Sequence, residues 1–185
     1  MSSYSSSYDT EALAASMGIG MVLLIYGVAF LISIAIWIVQ EIPFYKMAKN
    51  QGMSNAWLAF IPYGNFWVQL KLSPREFNLF NWIRWDDRAK AFWAMLIATG
   101  IYIVLLVPVV LLLMVPVIGI LIYIVYIFAY VVFAYGIIWR MNYDILITYG
   151  MEQNAMLLSI LNIFCPIIMI VCSYMIMNRE PNYDA

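Results

Sequence analysis

Between Ala91 and Trp139 this chain runs for 49 residues without one Asp, Glu, Lys or Arg. As a single helix that stretch would extend about 73 Å, more than twice the thickness of a bilayer's hydrocarbon core. A segment this apolar is not stable in water, and one this long does not cross a membrane once and stop. It must reverse. Pro108, Pro116 and Gly119 supply the breaks, and the sequence predicts a turn near Val115–Pro116 with spans over 91–114 and 117–139.

The rest of the composition points the same way. The chain is 66% hydrophobic and 10% charged, where a soluble domain carries about 45–50% apolar and about 25% charged residues. Too few charges remain to coat a water-facing surface. A first apolar run over 17–39 exceeds the ~7–15 residues of a signal-peptide core and has no Lys or Arg before it, so it reads as a retained span. A last run over 156–177 reads as a fourth span. The expectation is an all-α integral membrane bundle: four transmembrane helices in one membrane domain over 11–178. A Ser/Tyr tract over 1–10, read as disordered, precedes it, and a tail over 179–185 follows.

Orientation follows from the basic residues. Seven of the nine Lys and Arg fall between Glu41 and Lys90, one is Arg140 and one is Arg179. Cytoplasmic flanks carry the Lys/Arg excess. With four spans, both termini lie outside, with eight basic residues inside and one outside.

The segment over 41–90 is the least ordinary part. Trp57, Trp67, Trp82 and Trp85 suit the headgroup zone, and Pro62 splits its first apolar piece into halves too short to span. Ser73, Pro74 and Glu76 have the pattern of a helix start. These features predict short interfacial amphipathic helices on the inner leaflet; a re-entrant hairpin around Pro62 is the competing reading. A faint echo links this region to a later one. Tyr45 precedes Gly52-Met53 as Tyr143 precedes Gly150-Met151, each pair leads into Asn-Ala, and each is followed by an apolar run ending in Pro. Duplication of a two-span unit and chance in a biased composition both produce such a pattern.

The run Trp57-Leu-Ala-Phe-Ile61-Pro62-Tyr-Gly-Asn65, after Lys46-Met-Ala-Lys49-Asn-Gln-Gly52, resembles a group of small uncharacterised multi-span membrane proteins of Gram-positive bacteria. That group carries a W-x-x-x-I-P-x-x-N segment after its first span. The stretch from Asn154 to Pro166 and the closing Asn178-Arg179-Glu180-Pro181 are similar to the end of related proteins. Together the match covers about a third of the chain. Gly64 stands where the group usually has a bulky aliphatic residue or Tyr. The resemblance implies a bacterial cell-membrane location and carries over no catalytic residue.

Chemistry is hard to place. Histidine is absent, which removes the commonest general base and metal ligand. Cys165 and Cys172 sit in an apolar run as small core residues. Asp86 and Asp87, surrounded by Arg84, Arg88 and Lys90, read as a solvated charge cluster, and no Asp falls within the four spans as drawn. No catalytic set, cofactor site or metal site is expected. The net charge of −1 gives no field for nucleic acid.

Two polar stripes remain, Tyr123, Tyr126 and Tyr130 on the third span and Ser159, Asn162 and Ser173 on the fourth. They suit helix packing or a narrow path for a neutral solute. Ala12, Ser16, Gly20 and Gly27 offer a small-residue face for helix association. Trp57, Pro62, Asn65, Trp67, Trp82 and Trp85 mark the interfacial segment. The expected role is a non-catalytic subunit or accessory factor, with the lipid bilayer and another membrane protein or a second copy as partners. A small transporter or channel component is the first alternative, and an inner-leaflet lipid enzyme the second.

Overall fold

A computed structural model describes residues 3–80 and 83–182, the side chains of 3–16 and Pro116 excepted. Helix α1 runs Ser3–Asn50 and takes in residues 3–10 of the Ser/Tyr tract. A 3-10 helix over Ala56–Phe60 and helix α2 over Gly64–Lys71 follow. Strands β1 (Phe77–Leu79) and β2 (Ile83–Trp85) come next, then helices α3 (Arg88–Leu112), α4 (Pro116–Thr148), α5 (Glu152–Phe164) and α6 (Ile167–Ile176). The chain divides into two compact units, 1–40 and 41–185. In the first, residues 17–36 of α1 are exposed on every side.

Three helices are long and apolar enough to cross a membrane: Met17–Asn50, Arg88–Leu112 and Val117–Thr148. The uncharged stretch reverses where Pro116 forbids continuation. Leu113 closes α3 by donating to Val110 O at 3.1 Å, and Pro116 opens α4 at its first turn, where a missing N–H costs nothing. The reversal is tight: a Cβ on Gly119 would lie 2.0 Å from the Leu112 carbonyl oxygen.

The run over 156–177 does not form one straight helix. Pro166 cannot donate to Asn162, and Cys165 leaves helical geometry at φ −139°, ψ 89°. The products are helices of 13 and 10 residues, each short of the ~20 needed to span alone. They fold back on each other. Arg179 Nη1 donates to the carbonyls of Tyr149 and Gly150 at 3.3 and 3.1 Å, and the Asn182 N–H donates to Thr148 O at 2.7 Å. Residues 179–182 therefore end beside the point where α5 begins.

The segment after Ser73 also departs from expectation. Ser73 Oγ accepts from the Arg75 N–H at 3.4 Å, but no helix starts there. Phe77 and Leu79 alternate with Asn78 in a period-two pattern, buried on both sides of a less buried residue, and pair antiparallel with Trp85 and Ile83. The capping signal at 73–76 masked that alternation. The next helix begins instead at Arg88, where Asp87 Oδ1 accepts from the Ala89 N–H at 2.8 Å.

The echo between the two Gly-Met pairs is structural. Gly52 and Gly150 take φ of 74° and 77°. Met53 N–H donates to Ala48 O at 3.0 Å, and Met151 N–H to Leu146 O at 2.9 Å, so α1 and α4 end in the same Schellman cap. Each cap opens a helix–Pro–helix hairpin. The ends of the two halves exchange contacts: Asn50 Nδ2 reaches Met177 O at 3.4 Å, and Thr148 Oγ1 reaches Ser73 Oγ at 2.9 Å. Asn50 and Thr148 each stand two residues before the capping glycine, and Ser73 and Met177 each stand eleven after the hairpin proline. Between them Gln51 Nε2 donates to Tyr149 Oη at 2.9 Å, joining the two residues that immediately precede the glycines.

The buried core of the second unit gathers at this end, around Met47, Leu70, Leu72, Phe77, Met141, Ile145 and Ile176. The outer stretches of α3 and α4 are largely uncovered. Glycine contexts give a direct test. Gly119→Ala pushes a Cβ into backbone and should lower stability in detergent by about 1–3 kcal/mol. Gly100→Ala, with nothing within 4 Å, should raise helix stability by about 0.5–1 kcal/mol. Thermal unfolding followed by circular dichroism compares the two.

Candidate functional site

The densest chemistry lies where the start of α3 meets the end of α4. Asp144 is fully buried and Arg88 nearly so, 0% and 6% exposed. Arg88 Nη2 donates to Asp144 Oδ2 at 2.5 Å, and Arg140 Nη2 lies 3.1 Å from Asp144 Oδ1. The other Arg88 donors go to main chain: Nε to Arg75 O at 2.5 Å and Nη1 to Leu70 O at 3.1 Å. Its guanidinium carbon stands 5.6 Å from the centre of the Phe77 ring. One side chain thus ties together α2, the segment before β1, α3 and α4. Thr148 adds a bond to the Asp144 carbonyl at 2.8 Å.

The sequence hid this cluster in two ways. Ending the third span at Trp139 put Asp144 in a loop, although α4 continues to Thr148. Arg88 was grouped with Asp86 and Asp87, which are exposed, while it turns inward. A charged pair 56 residues apart has no local signature. The spacing Arg140–Asp144, four apart on a helix, was the one available hint.

A second polar cluster lies at the junction of α1 and α2. Glu41 is 4% exposed. Asn65 Nδ2 donates to its Oε1 at 3.2 Å, and Gln69 Nε2 stands 3.5 Å from Oε2. The amide of Asn65 is oriented by the Phe66 N–H, which donates to Asn65 Oδ1 at 2.8 Å.

The aromatic segment is divided. Trp57 and Pro62 are exposed, whereas Asn65 is buried on Glu41. Trp67 meets Phe92 edge-on with centroids 5.2 Å apart and carries Lys71 Nζ 4.7 Å from its own centroid. Trp85 packs on Phe77 at 5.9 Å; Trp82 lies outside the described residues. Phe80 adopts φ 52° and stacks on Trp139 at 6.2 Å. Its ring crosses α4 at Gly136, where a Cβ would come within 2.7 Å of ring carbons.

The two polar stripes are not joined by any hydrogen bond among the described residues. Tyr126 and Tyr130 stack on Tyr102 of α3, centroids 4.2 and 3.9 Å away, and the Tyr126 hydroxyl donates to the Tyr102 carbonyl. Tyr123 is half-buried. Ser159 and Ser173 turn their hydroxyls to their own helices, onto Met156 O at 3.0 Å and Ile170 O at 2.7 Å. Asn162 is buried, its Oδ1 without a hydrogen-bond partner. On the association face, a Cβ at Gly20 or Gly27 would meet nothing within 4 Å; the side chains of Ala12 and Ser16 lie outside the described set.

Set beside known protein families, curated proteins and solved structures, the chain matches none.

Breaking the central cluster has a defined cost. Asp144→Asn leaves Arg88 buried without its counter-charge and should lower stability by about 3–5 kcal/mol. The exposed Arg84–Glu76 pair should be worth less than about 1 kcal/mol when Arg84 is replaced by Ala. Unfolding of the detergent-solubilised variants measures the contrast.

Proposed function

We propose that this protein is a non-catalytic membrane subunit or accessory factor. The observation that carries this reading is where its charge is spent. Arg88 and Asp144 pair with each other with Arg140 alongside, and Arg88 donates to the main-chain carbonyls of Arg75 and Leu70, so the cluster ties four elements together. Large apolar surfaces on α3 and α4, including Ile101, Val104, Val117 and Val125, face outward; lipid and a membrane partner, another protein or a second copy, are what such surfaces receive. The alternatives, a small transporter or a lipid-acting enzyme, draw less support. Of the stripes invoked for a path, Tyr126 and Tyr130 stack on Tyr102 of α3 and the serines bond their own helices.

The same reading sets the topology. The first span enters from outside, α3 and α4 cross out and back, and α5–α6 dips into the inner leaflet and returns. This replaces a fourth crossing and moves residues 178–182 to the inner side. All nine basic residues then lie inside, a stronger bias than four spans allow. We place the protein in the bacterial cell membrane on the resemblance around Trp57–Asn65.

Single cysteines at Asn154 and Asn178, in a chain with Cys165 and Cys172 replaced by Ala, test the topology. Both should react with a membrane-impermeant maleimide only after the membrane is opened; labelling of position 178 in sealed cells would reject the hairpin. Cross-linking in native membranes followed by mild-detergent purification should retain a partner or a dimer. A strictly monomeric species would count against the subunit role.

A further inference from the structure

In the central ion cluster Asp144 has Arg88 and Arg140 as ion-pair partners, but Glu41 has no such partner among the described residues. The groups facing it from α2 are the neutral amides of Asn65 and Gln69. On its own helix the nearest titratable side chain is Tyr45, one turn on, whose ring packs against Phe60 with centroids 5.2 Å apart. Burying a lone carboxylate is costly, and two amide donors offset only part of that cost. Ionisable groups at membrane depth are expensive to keep, and they mark functional positions.

The arrangement of the amides says what the carboxyl is fitted to hold. Asn65 cannot offer its oxygen, because the Phe66 N–H already fixes that atom, so it presents its NH2 to Oε1. Gln69 lies at the outer limit of hydrogen bonding from Oε2. Turned one way it donates to a carboxylate oxygen; flipped by half a turn it accepts from a carboxyl O–H. One fixed donor and one reversible amide serve both charge states of an acid. A metal ion would need more oxygen donors than this geometry supplies.

We propose that Glu41, Asn65 and Gln69 form a proton-binding site where α1 meets α2. The site takes up and releases one proton on Glu41, Gln69 reverses its amide as it does so, and the state of the carboxyl sets how tightly α2 is held to α1. This holds whether the chain works alone or as a subunit.

Infrared difference spectroscopy on the full-length protein in liposomes tests this. Between about pH 5 and pH 9, a range over which perturbed carboxyls titrate, a carboxylic-acid C=O band should be present at the acid end. It should fall about tenfold per pH unit once beyond the midpoint. Glu41→Gln, which keeps the size and burial of the side chain, should remove that band while far-ultraviolet circular dichroism stays unchanged. Gln69→Leu, which cannot reverse, should shift the midpoint without removing the band. The proposal is overturned by any of three results: no pH-dependent band, a band that survives in Glu41→Gln, or a band displaced at fixed pH by sodium chloride but not by choline chloride. The last would mean that the site takes a metal cation.

Discussion

The Arg88–Asp144 pair is the polar contact that links most elements of the second unit. It sits at the end of α3 and α4 where the buried core gathers. There, one guanidinium reaches the α2 carboxyl end, the segment before β1 and the last turns of α4. Apolar helices in a bilayer gain little by burying against one another, since lipid tails are as apolar as their side chains. Directional polar contacts must therefore fix which helix lies beside which. A buried ion pair is a poor source of net stability against a well-packed apolar substitute, but a strong discriminator between arrangements.

The architecture was readable in outline because the membrane imposes it. An uncharged stretch of 49 residues allows few folds, and Pro116 had only one sensible role in it. Pro166 was read too lightly. It lies in a run whose composition fits a span, and hydropathy does not register a broken backbone. The β-hairpin at Phe77–Trp85 was missed because a helix-start pattern at Ser73–Glu76 competed with three-residue strands, which are barely longer than noise. Asn65 was singled out for the motif it stands in, not for its bond to Glu41, because that bond spans 24 residues.

The polar stripes teach a related lesson. Periodicity puts Tyr126 and Tyr130 on one face, and both rings stack on the same neighbour. It could not tell that the neighbour was Tyr102, nor that the serines would satisfy themselves within their own helices. A face is a property of one helix, whereas a site needs two.

The contacts between the two capped hairpins carry a different consequence. Each long helix ends by touching the chain beyond the opposite hairpin, Asn50 at Met177 and Thr148 at Ser73, and the residues before the two glycines meet each other. This is the reciprocal pattern of an isologous interface, in which a patch recognises its own counterpart. Because each turn is held by the chain beyond the other, a lesion at one turn should be felt first at the far hairpin.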